Sequence, residues 1–199
     1  MKQYLILLAI IGSLVSCKKK LLYPDDLTIK FTLPPITQSG QNTFGFVIDS
    51  TIWVNYGQNV ENPELPNLKA TYLSGDSSVN VVVDRVLMNN GAIASNQSFS
   101  FTLINDVFET PGSYLIGSKT YGNSNSIGFF NNDRISQKNY GIISSRPTFL
   151  ISVSKFDTVN HIFSGQFSGT LFNVSNGSYY PNQNDSIVIT QGRFDIKLQ

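Results

Sequence analysis

The sequence is poor in the residue types on which most protein chemistry depends. It has a single cysteine, Cys17, and a single histidine, His161, in 199 residues. One cysteine excludes an internal disulfide framework, and one histidine without a cysteine cluster excludes the usual zinc sites. Charged residues are only 14% of the chain, with 14 basic against 13 acidic, so nothing attracts a nucleic acid. No apolar run is long enough for a transmembrane helix, which needs about 20 residues. Low charge does not here mean disorder. Hydrophobic residues make up 41% and aromatic residues 12%, enough to build and fill a core.

What is present is most specific at the N-terminus. Residues 1–16 read as a signal peptide, with Lys2 as a short positive start and residues 4–11 as an apolar stretch of secretory length. The stretch ends in Leu14-Val15-Ser16-Cys17, which resembles the bacterial lipobox at every position. The resemblance implies that the Cys17 sulfur receives a diacylglycerol, that cleavage falls before Cys17, and that the new amino group is acylated. The partner is then a membrane, since two or more acyl chains anchor stably where one does not. The competing reading is an ordinary signal peptide with a chance cysteine. Cleavage removes Lys2 and leaves 13 basic and 13 acidic side chains. Lys18, Lys19 and Lys20 sit beside the anchor, where anionic headgroups are worth about 1 kcal/mol per lysine. Residues 17–41 read as the lipidated cysteine followed by a tether, interrupted by Pro24, Pro34 and Pro35 and ending in the polar Gln38-Ser39-Gly40-Gln41.

Residues 42–199 read as one all-β domain, an antiparallel β-sandwich or its barrel-like variant. The apolar runs are short, rich in Val, Ile, Phe, Tyr and Thr, and bounded by Gly, Asn, Ser and Asp. They predict strands over 44–48, 51–54, 68–73, 79–87, 98–105, 113–116, 148–154, 161–174, 186–190 and 193–198. Phe99, Phe101 and Leu103 alternate with Ser98, Ser100 and Thr102, which marks one buried and one wet face. Phe163, Phe167 and Leu171 share a parity in the same way. Residues 119–146 are the least patterned and read as a long loop or a weak hairpin. Trp53 reads as a core anchor rather than a ligand platform. Gly165 and Gly169 read as allowing a bulge or close strand approach, since no helix follows them to bind phosphate.

Two segments carry a family resemblance. One is 41–54, with Asn42-Thr43-Phe44-Gly45 and Trp53; the other is 150–171, with Ser164-Gly165-Gln166-Phe167, followed by Gly192-Arg193-Phe194-Asp195. Together they resemble an uncharacterised family of Bacteroidota lipoproteins. That resemblance implies a cell-envelope location and a β fold, and no activity. The family has Asn-Gly at the first hairpin turn where this chain has Asp49-Ser50, a pair that accepts positive φ less readily.

Chemistry is sparse. No Gly-x-Ser-x-Gly elbow accompanies His161, and Cys17 is committed to lipid. Ten aspartates and three glutamates permit a carboxylate-pair glycosidase without supporting one. Asn182-Gln183-Asn184-Asp185 offers oxygens but not the spacing of a calcium loop. No cofactor and no metal are expected. The candidate ligand site is compositional: Tyr121, Phe129, Phe130 and Tyr140 among asparagines, and Tyr179-Tyr180-Pro181-Asn182. Aromatic faces with amide neighbours suit sugars and peptides. The binding tyrosines are therefore Tyr121, Tyr140, Tyr179 and Tyr180, which must meet on one surface. Asp49-Ser50-Thr51, Asp157-Thr158-Val159 and Asp185-Ser186-Ile187 are similar to the O-glycosylation acceptor of Bacteroidota exported proteins, which implicates Ser50, Thr158 and Ser186. The expected role is a non-enzymatic binding module for a glycan, a peptide or an envelope protein. The alternatives are a structural envelope lipoprotein and, third, a glycosidase-like enzyme. Lys18–Lys20 in place of an acidic export cluster points to the periplasmic face of the outer membrane.

Overall fold

The computed structural model describes residues 28–57, 67–75, 77–89, 92–104, 110–116, 125–133, 137–142, 148–174 and 182–199. The strands are β1 (Thr43–Ile48), β2 (Thr51–Val54), β3 (Leu68–Leu73), β4 (Ser78–Asn89), β5 (Ala92–Ile104), β6 (Gly112–Ile116), β7 (Ser126–Asp133), β8 (Gln137–Gly141), β9 (Phe149–Asp157), β10 (Ile162–Asn173) and β11 (Asn182–Lys197). All pair antiparallel in the order β2-β1-β11-β10-β8-β7-β5-β4-β3, and β9 and β6 continue from the first part of β10. The all-β expectation holds, and the sheet is a single one that curls into a half-barrel. Its far end returns to its middle, where Ala70 bridges Leu198 and the Gln199 N–H donates to the Ala70 carbonyl at 2.9 Å.

The curl folds β3, β4, β5, β7 and β8 over β1, β2, β10 and β11. Phe101 packs on Phe163 and Phe194, at 6.3 and 5.6 Å between ring centroids. Two residues back, Phe99 meets Phe44 and Phe46, at 5.4 and 5.2 Å. Two further back, Gln97 accepts a hydrogen bond from Trp53 Nε1 at 2.8 Å. One strand thus crosses four others, the arrangement of layers packed at a steep angle. Trp53 is fully buried, as its parity predicts, and stacks on Phe46 at 4.8 Å.

Local rules explain the details. Asp49 and Ser50 have φ of 46° and 72°, so the first hairpin adopts a type I′ turn without Asn or Gly. The Asp49 carboxylate accepts the Val188 N–H at 3.2 Å, which gives that turn a partner from β11. The two predicted strands after residue 185 are one, because Gln191, at φ 53°, forms a bulge instead of a turn. Gly165 and Gly169 both sit at register shifts. A Cβ on Gly165 would collide with the Ser152 carbonyl and, at 2.6 Å, with the Phe194 ring, while Gly169 has φ 157°. The weak stretch 119–146 contains the β7–β8 hairpin.

Of the stretch read as tether, residues 28–41 lie on the barrel as a strap. Asp195 faces outward on β11 between the inward Phe194 and Ile196, yet only 1% of it is exposed, because the strap covers it. Its carboxylate accepts five hydrogen bonds: Thr37 Oγ1 at 2.6 Å, Ser39 N at 3.0 Å, Gly40 N at 2.8 Å, Gln41 N at 3.2 Å and Ser164 Oγ at 2.7 Å. Burial alone would raise the Asp195 pKa; the bonds from Ser164, Thr37, Gly40 and Ser39 outweigh it and hold it at about 2. Arg193 Nη1 donates to the Pro34 carbonyl at 3.2 Å, and Phe31 packs edge-on against Tyr56 at 5.1 Å. The polar residues 38–41 read as the end of a tether because their acceptor lies more than 150 positions away.

Candidate functional site

Rows of residues across β4, β5, β7 and β8 define two surfaces. On the outer face, Ser98, Phe130 and Asn139 form one row, and Ser100, Gly128 and Gly141 the next. The second row is almost free of side chains, so a groove of about 410 Å³ opens there. The half-buried Phe130 ring and Val174 form its walls, and the Val174 N–H is fixed to the Asn139 carbonyl at 2.7 Å. A Cβ on Gly128 would be 3.6 Å from the Tyr140 carbonyl and 3.9 Å from Ser100 Oγ, so the floor has room for a side chain.

On the inner face, the rows are apolar as far as Val83, Phe99, Phe129 and Tyr140, all buried. The next inward row is Arg85, Gln97, Asn131 and Lys138. Gln97 Nε2 donates to Asn131 Oδ1 at 2.9 Å, and Trp53 Nε1 donates to Gln97. Lys138 Nζ lies 2.9 Å from Asp185 Oδ2, and Asp185 also accepts from Asn173 Nδ2 at 2.7 Å and from the Tyr140 hydroxyl at 3.3 Å. The bonds from Asn173 and Lys138 lower the Asp185 pKa. Burial first, then the Asp185 charge, raises that of Tyr140.

The predicted site residues fare unequally. Tyr140 shares its parity with Lys138, points inward and is 7% exposed, packed on Phe129 at 6.4 Å, so its ring offers no open face. Tyr121, Tyr179 and Tyr180 lie outside the described residues, as does Cys17. The described residues that flank the two aromatic groups stand at different levels: Asn125 accepts the Ile104 N–H at 2.9 Å before β7 begins, and Val174 lies beside Asn139 within β8. Phe130 and Asn139, from the same composition-based group, are the ones that line the groove. Ser50, Thr158 and Ser186 are exposed; the first two are in turns and Ser186 is inside β11. Asp157 caps the second turn, accepting from the backbone of Val159 and Asn160 at 3.1 and 2.8 Å, and His161 is exposed just after it. Among the described residues no three of His, Cys, Asp and Glu gather as metal ligands, and no helix is long and apolar enough to cross a membrane.

Sequence reasoning missed Arg85. The signal was there: Arg85 has the parity of Val79, Val81 and Val83, which assigns it inward. No known protein family, curated protein or solved structure matches the chain.

Proposed function

We propose that the chain is a non-enzymatic binding module of the cell envelope, anchored by lipid on Cys17, whose outer groove takes a sugar ring. The observation that carries this reading is the groove itself. An aromatic wall, a floor without side chains and a neighbouring amide are what a flat polar ring needs for stacking and orientation. A peptide side chain or an envelope protein loop is the second class of ligand for the same groove. The lipobox and the lysines after it support the periplasmic face of the outer membrane, in keeping with the Bacteroidota resemblance. Ser50, Thr158 and Ser186 present accessible hydroxyls for glycosylation. One observation favours the structural alternative, a lipoprotein with no dedicated ligand: Tyr140, an expected ligand platform, is packed inside.

The test is a glycan and peptide array probed with the full chain and with Gly128→Val, which fills the floor and suits a strand. The reading expects a glycan signal that the variant loses at least ten-fold. Equal signal from both proteins removes the groove, and no signal from either leaves the structural role.

A further inference from the structure

The outer groove has unequal sides. At its β10 end Val174 overhangs the floor, with Cγ2 3.6 Å from where a Cβ on Gly141 would stand. Phe130 and Asn139 border it from the adjoining row. On the β5 side its lining is Ser98 and Ser100, two small hydroxyls. Past them the same two rows continue onto β4, where Asp84 pairs with Ser98 and Val82 with Ser100. Val81 and Val83 are fully buried, so Val82 and Asp84 face outward, and Val82 is 36% exposed. The row from Gly141 through Gly128 and Ser100 to Val82 therefore crosses three strand spacings, about 14 Å, with no side chain larger than serine between its ends.

What fits there follows from length and charge. Successive rings of a glycan chain advance by close to one strand spacing. One ring covers the glycine floor, and the rest of the row has room for a second. None of the residues lining the groove is charged. Across β3, β4, β5, β7, β8 and β10, the charged residues at outer positions are Asp84 and Lys69, while Arg85, Asp133 and Lys138 hold inner positions. Asp84 stands next to Ser98 at the mouth of the groove; Lys69 is one strand further out, beyond Val82. A sugar leaving the groove on this side thus meets a carboxylate first. That group accepts hydrogen bonds from neutral sugar hydroxyls and repels an acidic sugar. Val82 beside it offers an apolar contact to the C–H face of a ring.

We propose that the groove holds the end of a neutral glycan chain, whose next ring lies across β5 and β4 on Ser100, Val82 and Asp84. This inference rests on the reading of the groove as a sugar site and adds the second ring, its direction and the exclusion of acidic sugars. The terminal ring occupies the floor against Phe130, because Val174 bars the way past β8.

The experiment measures affinity of the full chain for glycans of increasing length. The probes are the one-, two- and three-unit members of neutral glucose, mannose, galactose and N-acetylglucosamine series, with uronic acid oligomers as the charged counterparts. In the series that binds, the second unit should strengthen binding about ten-fold, and the uronic acid oligomers should bind more weakly than their neutral equivalents. Asp84→Asn should lose most of the gain from the second unit and narrow the gap between neutral and acidic chains, with the one-unit affinity unchanged. Val82→Ala should lose a smaller part of the same gain, and it keeps the test alive if Asp84→Asn does not fold. Equal affinity for one and two units, or a gain that both variants retain, overturns the path across β4. If Gly128→Val still abolishes binding in that case, the groove reading stands alone. Tighter binding of the uronic acid oligomers overturns the neutral assignment, and no binding in any series overturns this inference together with the groove reading.

Discussion

Two charged side chains are buried among the described residues, and they could hardly be held more differently. Asp195 faces outward under residues 37–41 and has every lone pair engaged. Arg85 faces inward under Phe31 and has a donor left over. The same strap covers both. A buried charge saturated with short bonds holds a structure together, whereas a buried charge left short of partners is tolerated at a cost to stability. Burial by itself does not show whether a charge fastens the fold; the count of satisfied bonds does.

Trp53 sets the scale for that comparison, because it is buried by apolar contact at the edge of the same polar row. Trp53→Ala should lower stability by roughly 3–5 kcal/mol in denaturant melts. A loss below about 1 kcal/mol would mean that the aromatic stack tolerates the cavity and that the polar rows carry more of the fold than their contacts suggest. Asp195→Ala should cost less, about 3 kcal/mol, because the freed N–H groups of the strap can return to water. Hydrogen exchange gives the sharper reading: the amides of Ser39, Gly40 and Gln41 should lose protection while those of β10 keep theirs. Uniform loss would show that the strap and the barrel unfold as one unit.

The acid limb gives a smaller effect and needs no mutation. The folded-state pKa of Asp195, about 2, lies below its ordinary value of 3.8. Its contribution is therefore complete above about pH 4 and disappears as the pH falls through about 2. The amount is about 2 kcal/mol from the size of the shift. Melts between pH 5 and 2 should show this loss, and Asp195→Ala should flatten it. An unchanged acid limb in the variant would assign the loss to other carboxylates.

The sequence made the barrel largely legible and the strap not at all. Strands over 51–54 and 68–73 appear with their predicted bounds, because alternation marks a strand with one wet face. The first six residues of β5, Ala92 to Gln97, and the second half of β7, from Phe130 on, lack that alternation. Their inward positions are Ser95, Gln97 and Asn131, which are polar because the core has already ended there. The groove was half legible. Composition pointed to Phe130 and Asn139, but it could not tell them from Tyr140, which differs from Asn139 by one position and therefore by a whole face of the sheet. Asp195 looked like any strand aspartate. Its donors come from the other end of the chain, and no local pattern records a partner at that distance.

The fastening at Asp195 also determines how the molecule meets mechanical force. A pull on the chain ahead of Thr28 first lifts Phe31 from Arg85 and then strains the bond between Pro34 and Arg193. It next reaches the hydrogen bonds around one carboxylate, before β1 feels any tension. That carboxylate belongs to β11, which lies between β1 and β10 inside the sheet. Tension from the N-terminal side is thus delivered to an interior strand through several bonds that must break together, instead of peeling an outer strand one bond at a time. The strap behaves as a buckle, and the barrel stays shut until the buckle gives.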